Sequence, residues 1–333
     1  MRRVLFLGKD ATHPSARARV LNLLPDLRRE GIDGTWMAYP AGLLKKIQLR
    51  MVCRPFDVVM IQRKLPSTLE TALLRRWTKR LVYDFDDAVY YKTDSADTFD
   101  SKVRAMKFRY LVKRVDAVIA GNTVLADYAR QFNDRVHVVP TAVETRQVAT
   151  KQYGAPDPTT IIGWVGVPKN LRHLQLLTAT FQRLASQRRI QVRILSKYGI
   201  EMPGVDVKTI PWRLDTQEKE IAAFDIGVMP LPDNQCTRGK CGYKALQYMA
   251  AAVPAVVSDV GSNRQIMKDG EEGFVAKTIE DFYRPLAMLI DDPALRASMG
   301  MAGRKRVEQQ FAVPVVAKQV AGILLACADE RGA

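Results

Sequence analysis

Arg238, Gly239, Lys240, Cys241, Gly242, Tyr243 and Lys244 form a basic loop with two glycines, and it opens an apolar-striped stretch at 243–251. Pro254 breaks the chain before the apolar run 255–258. Loop, helix and strand in this order put backbone N–H groups and ammonium groups at a helix N-terminus. Orphan donors and the helix dipole favour an anion there. Arg238, Lys240 and Lys244 have the charge to neutralise a departing pyrophosphate, and the glycines let backbone approach it. A solvated basic loop is the plainer alternative.

Four further loops carry candidate groups. After the run 160–166, Gly166 permits close approach and Lys169 lies near the start of the next helix, so a diphosphate suits this loop as well. Trp212, after 205–210, offers a flat face for a nucleobase or sugar, or packs in the core. His13 sits in the loop after the first apolar run, where it can bind or deprotonate an acceptor or serve as a turn residue before Pro14. Arg17 and Arg19 nearby suit a phosphate or carboxylate. Asp84, Asp86 and Asp87 place three carboxylates in four residues. Asp-x-Asp spacing admits a metal–nucleotide reading. The preferred reading is that Asp86 and Asp87 serve acceptor hydroxyls and brace a loop.

These loops need a scaffold that gathers them. The 333 residues are about two domains' worth. Short apolar runs at 3–8, 35–38, 56–61, 80–83, 117–120 and 136–139 read as strands. Helical stretches fit 15–30, 69–78, 101–114 and 123–131. The second half repeats the scheme, with strands at 160–166, 191–196, 205–210, 226–229, 255–258 and 273–276. Its helices fit 171–186, 217–223, 243–251, 279–291, 293–311 and 314–328. Continuous apolar strands alternating with helices imply an α/β protein with two Rossmann-like doubly wound domains facing a cleft. The boundary falls in 145–158, a polar stretch with Gly154, Pro156 and Pro158. Residues 1–150 form the first domain and 151–311 the second.

Composition narrows the function classes. No apolar run is long enough for a transmembrane helix. The N-terminal run ends at Gly8, too short for a signal-peptide core. The loop after it is not G-x-G-x-x-G, which argues against a dinucleotide cofactor. Cys53, Cys236, Cys241 and Cys327 read as reduced thiols of a cytoplasmic protein. Cys236 and Cys241 lack partners at zinc spacing, so no metal site is expected. The net charge is +16, and residues 1–150 hold 27 Lys and Arg against 16 Asp and Glu. Such a field favours anionic ligands, an anionic membrane surface or nucleic acid. No nucleic-acid-binding motif is present. The stretch 101–114 is basic with interleaved apolar and aromatic residues, suited either to anionic lipid or to covering a sheet.

The second half resembles the donor domain of family 4 retaining glycosyltransferases, which have the GT-B fold. The resemblance covers roughly 160–311. It rests on the run 161–166, on Phe224-Asp225-Ile226-Gly227-Val228-Met229-Pro230-Leu231, on the segment 239–251, and on 253–261 with Asn263-Arg264-Gln265-Ile266 and 269–274. Runs 82–87 and 118–122 are similar to members of the same group. The resemblance implies transfer of a sugar from a nucleoside diphosphate donor, with retention and without a metal or other cofactor. It implies that the second domain binds the donor and the first the acceptor, and that 312–333 crosses back to the first. It makes Lys169 the diphosphate-binding lysine. Gly239 and Gln247 stand where the family carries two Glu residues, and Val167 stands where an Arg is usual. Gln247 retains hydrogen-bonding capacity for ribose hydroxyls.

The expected protein is therefore a cytoplasmic glycosyltransferase, either unattached or peripheral on the inner face of the membrane. Its catalytic groups are Lys169, Lys244 and His13. Gly166, Trp212, Gln247 and residues 238–244 bind the donor, and His13, Arg17, Asp86 and Asp87 bind the acceptor. A lipid-linked acceptor, a glycan, a small molecule and a protein remain open, as do an inactive GT-B partner protein and a nucleotide-sugar epimerase.

Overall fold

The computed structural model describes residues 1–92, 100–154 and 159–330, without the side chains of 43–46. Pro156 and Pro158 of the expected boundary, and the last three residues, lie outside the described residues. The chain forms two compact units. The first comprises Met1–Ala142, Arg238–Cys241 and Phe311–Ala333, and the second Val143–Thr237 and Gly242–Gln310.

The first unit holds a parallel sheet of β1 (Arg2–Gly8), β2 (Ile32–Ala38), β3 (Val58–Gln62), β4 (Leu81–Phe85), β5 (Ala117–Ala120) and β6 (Val136–Val138). Its order is β2-β1-β3-β4-β5-β6. The central strands are buried throughout because helices cover both faces, and they are mostly apolar. Helices α1 (Pro14–Arg19) and α2 (Leu24–Arg29) lie on one face, together with the helix Val313–Asp329. That helix buries Val313, Val316, Ala317, Val320 and Leu324 against Val4, Phe6, Val58 and Met60. Helices α3 (Leu43–Cys53), α4 (Thr68–Trp77), α5 (Lys102–Val112) and α6 (Thr123–Arg130) cover the other face, where Leu49, Leu74, Phe108 and Leu125 meet Leu7, Ile61 and Phe85.

In the second unit, β7 (Thr160–Val165), β8 (Ile190–Leu195), β9 (Asp206–Ile210), β10 (Ile226–Met229), β11 (Ala255–Ser258) and β12 (Gly273–Ala276) form a parallel sheet of order β12-β11-β10-β7-β8-β9. Its helices are α7 (Leu171–Gln175), α8 (Thr178–Ala185), α9 (Gln217–Ala222), α10 (Tyr243–Ala250), α11 (Asn263–Ile266), α12 (Tyr283–Asp291) and α13 (Pro293–Gln310). The helix Val313–Asp329 is α14. Among the described residues no helix is long and apolar enough to cross a membrane.

Both sheets were legible as alternating strands and helices, but two helices are broken. The stretch 15–30 splits into α1, a 3-10 turn and α2. Val20 lies at φ −136°, ψ −64°, and Pro25 lacks an N–H and excludes the carbonyl four residues back. The stretch 171–186 splits at Leu177, which lies at φ −93°, ψ 6°, where the α ladder lapses. Helix α3 gave no clear periodicity. Of its described side chains only Leu49 and Cys53 are buried.

One buried ion pair ties the first unit together. Arg19, the last residue of α1, points its Nε at both oxygens of Asp84 in β4, at 3.2 and 3.3 Å, and its Nη2 closes the fork. Its Nη1 donates to the carbonyls of Val139 and Pro140 at 2.7 and 3.0 Å. Both side chains are 2% exposed. Arg19→Ala leaves a carboxylate buried without its partner and is expected to cost about 3–5 kcal/mol. Chemical denaturation checks this, with the Arg19→Ala/Asp84→Ala double variant recovering part of the loss.

Candidate functional site

In a parallel α/β sheet the loops beyond the carboxyl ends of the strands share one edge. In the first unit this edge gathers His13 after β1, Arg63 after β3, Asp86 and Asp87 after β4, and Asn122 after β5. Arg63 Nη2 lies 2.7 Å from Asp87 Oδ2, and its Nη1 lies 3.6 Å from Asp86 Oδ1. Lys240 brings a second cation, with Nζ 3.3 Å from both oxygens of Asp87. Burial works against charge on Asp86, but Arg63, Arg19 and the Ser15 hydroxyl outweigh it and hold the carboxyl below its usual range. The pair Asp84 and Asp86 does not present one divalent chelate, because Arg19 occupies the first and Arg63 faces the second.

His13 caps α1. Its Nδ1 accepts the Ser15 amide at 3.2 Å, and the Ser15 hydroxyl accepts from Gln62 Nε2 at 2.7 Å. Burial and then Arg63 push the imidazole below its ordinary 6.5, against the opposing pull of Asp86 and Asp10. In the neutral ring Nδ1 is engaged as acceptor, so the proton sits on Nε2. His13 therefore offers a hydrogen-bond donor, and the expectation that it deprotonates an acceptor does not fit this geometry. Arg17 donates to the carbonyl of Thr12 at 2.6 Å. Arg19, expected beside it as an anion binder, is instead the buried partner of Asp84.

The loop Arg238–Cys241 groups with this unit, apart from Lys244. Lys240 faces Asp87, so its charge is already matched. The Asn122 amide donates to the Lys240 carbonyl at 3.1 Å, and the Cys241 thiol donates to the Asp86 carbonyl at 3.2 Å. Burial and neighbouring carboxylates push that thiol far above its usual range. Gly239 packs so closely that an added Cβ would lie 2.8 Å from the Ala88 methyl. Of the three cations expected to cradle an anion, Lys240 is matched by Asp87. Arg63 and Ser15 went unnoticed in the sequence. Arg63 adopts φ 60°, an unusual conformation that a linear reading does not reveal.

The second unit's edge gathers Gly166 and Lys169 after β7, Trp212 after β9, and Gly242 and Lys244 at the start of α10. Tyr248 of α10 sets this register. Its hydroxyl donates to the Val228 carbonyl and accepts the Val165 amide, both at 3.2 Å. Lys244 Nζ stands 5.5 Å from the centre of the buried Trp164 ring. A Cβ on Gly166 would come within 2.6 Å of that ring and 3.1 Å of Lys244 Cε. Gly242 takes φ 62° as the N-cap of α10, with no side-chain cap on the helix amides. Lys169 is exposed in a 3-10 turn leading into α7, while Tyr243 and Gln247 are half-buried on α10. Trp212 is 37% exposed, with its indole N–H on Gln217, so the core-packing alternative does not hold. β9 lies two strand spacings from β7, roughly 10 Å.

Comparison with known proteins places this edge in context. Residues 159–292 match the family model described as Glycosyl transferases group 1. A stretch of 66 residues is 38% identical to EpsD of Bacillus subtilis (strain 168), a glycosyltransferase by assignment. That stretch is 19% of this chain and only 17% of EpsD. Three solved structures match nearly end to end. Sucrose-phosphate synthase of Thermosynechococcus elongatus aligns with TM-score 0.73 at 12% identity over 98% of this chain and 99% of its own. HepE of Anabaena, in complex with UDP and glucose, gives 0.73 at 14% identity over 98% and 100%. A glycosyltransferase of Rickettsia africae gives 0.75 at 12% identity over 99% of each.

The fold is GT-B. Its two sheets of six parallel strands are the two Rossmann-like domains expected from the sequence. The family-model match begins one residue before β7 and contains Gly166, Lys169, Trp212, Gly242 and Lys244.

The His13 ring is expected to titrate below 6.5 by NMR. Its lowered folded-state value means that its contribution to stability is complete above the unfolded value and declines as pH falls through 6.5 toward the folded one. Arg63→Gln should move the midpoint upward. An unchanged midpoint would show that Arg63 does not act on this ring.

Proposed function

We propose that the protein is a glycosyltransferase that moves a sugar from a nucleoside diphosphate donor to an acceptor with retention and without a metal ion. The observation that carries this reading is the coincidence of the glycosyltransferase family match with the edge bearing Gly166, Lys169, Gly242 and Lys244. Lys169 and Lys244, with the uncapped amides of α10, supply positive charge for the leaving diphosphate. Trp212 offers a face to the base or sugar, and Gln247 offers an amide to the ribose. The crystal of HepE with UDP and glucose supports a nucleotide sugar as donor.

On the acceptor side, His13 donates from Nε2 while Asp86 and Asp87 accept hydroxyls. The acceptor is a hydroxyl-bearing glycan, lipid-linked sugar, small molecule or protein side chain. The four cysteines are buried and form no disulfide, which suits the proposed cytoplasmic location.

A second reading, a GT-B partner without transfer activity, is favoured by Gly239. The family resemblance puts a Glu there, yet even a Cβ has no room beside Ala88.

Thermal-shift titration with UDP, GDP, ADP, CDP and dTDP, with and without Mg²⁺, separates the two. A transferase gives a metal-independent rise in Tm with one nucleotide, and a flat response with all five favours the partner reading. Lys169→Ala and Lys244→Ala should each weaken the responding nucleotide by roughly 10- to 100-fold, as for charged contacts. Asp86→Asn and Asp87→Asn should lower transfer while leaving nucleotide affinity intact. If instead they abolish binding and Mn²⁺ restores it, the metal-free mechanism fails.

A further inference from the structure

Helices α3, α4 and α5 lie side by side over one face of the first sheet. Their inner sides bury Leu49, Leu74, Phe108 and Leu111. Their outer sides leave Ile47, Met51, Leu69, Val103 and Met106 between 45% and 72% exposed. One exposed aliphatic residue is ordinary, but five on three adjacent helices exceed scattered exposure and suit a partner.

The charge on the same helices is one-sided. Together they carry nine Lys and Arg and one acid, Glu70. Glu70 is turned back onto the Ser67 amide in a capping box. Arg50, Arg76, Lys102, Arg104 and Arg109 are exposed. On α5, Lys102, Met106 and Arg109 recur at helical spacing, so cation and apolar side chain share one stripe. Leu69 and Val103 are second residues of α4 and α5. Helices that return antiparallel to their strands begin near the carboxyl edge, which also bears His13, Arg63, Asp86 and Asp87.

We propose that the outer face of α3, α4 and α5 docks on an anionic lipid bilayer. The aliphatic side chains enter the headgroup region while the cations pair with lipid phosphates. Helices with apolar tips among Lys and Arg bind this way, and each cation adds attraction that fades within a Debye length. Nucleic acid matches the charge but not the apolar groups, since base stacking calls for aromatic platforms and the large exposed side chains here are aliphatic. Docking would set the edge with His13 and Asp86 beside the lipid surface. Where the transferase reading holds, that favours a lipid-linked acceptor, but docking itself does not depend on that reading.

The test is co-sedimentation of the full chain with vesicles of phosphatidylcholine alone or mixed with phosphatidylglycerol, at low and high salt. Binding is expected to the anionic vesicles only and to fall with salt. Lys102→Glu/Arg109→Glu should reduce partitioning by roughly fivefold or more per cation. Val103→Ser/Met106→Ser, which retains every charge, should also reduce it at unchanged Tm. Equal binding to neutral vesicles, no binding to anionic ones, or serine variants that partition like the parent would each overturn the proposal. So would tighter binding to duplex DNA than to anionic vesicles at the same salt. Because the readout is sedimentation without nucleotide, failure here is distinct from failure of the thermal-shift experiment.

Discussion

The Arg19–Asp84 ion pair is the contact on which the first unit's site depends. Arg19 ends α1 and Asp84 lies in β4, so the pair joins a helix to the middle of a sheet, and the same guanidinium binds the carbonyls of Val139 and Pro140 beyond β6. His13 is the N-cap at the other end of α1, and Asp86 follows Asp84 by two residues. Fixing α1 against β4 therefore fixes the imidazole relative to the carboxylates. Burial opposes the charge on Arg19, but Asp84 outweighs it and keeps the guanidinium protonated well above its usual range. The buried pair is tolerated because Arg19 bonds both oxygens of Asp84 and two backbone carbonyls besides, which compensates part of the burial.

In the second unit a neutral contact has the corresponding part. Tyr248 spans β7 and β10 through one hydroxyl. It locks α10 so that Gly242 and Lys244 begin the helix beside Gly166. The buried Trp164 ring then lies under the Lys244 ammonium, a cation–π contact that helps to hold the cation at the edge. Glycine is needed at 166 because ring and lysine chain both occupy the space of a Cβ. The two units thus differ in electrostatic character. The first edge balances Arg63 and Lys240 against Asp86 and Asp87, which suits hydroxyls. The second presents lysines and helix amides, which suits a diphosphate.

Much of the scaffold was legible in the chain. Strands such as β5, β10, β11 and β12 coincide with the apolar runs because strands covered on both faces need no polar alternation. Where reading failed, the cause was local. Val20 and Leu177 break helices whose apolar spacing continues across the break, so the pattern gives no sign of it. Helix α3 buries too few described side chains to show a stripe. Of the site, the loops after the strands were found, because glycine, lysine, tryptophan and paired aspartates stand out there. Arg63 was missed because nothing in its neighbours marks a left-handed residue.

The sequence by itself determined the two parallel sheets, the edge of each that can bind ligands, and the glycosyltransferase resemblance of residues 160–311. These follow from periodicity and from motif order, which are properties of neighbours along the chain. Only the tertiary structure decided which charges cancel. It paired Lys240 with Asp87, buried Arg19 with Asp84, occupied Nδ1 of His13 and left Lys244 over Trp164. Those outcomes depend on side chains brought together from distant parts of the chain, with partners up to 153 residues apart. Electrostatic matching acts through space, and sequence order carries no record of it.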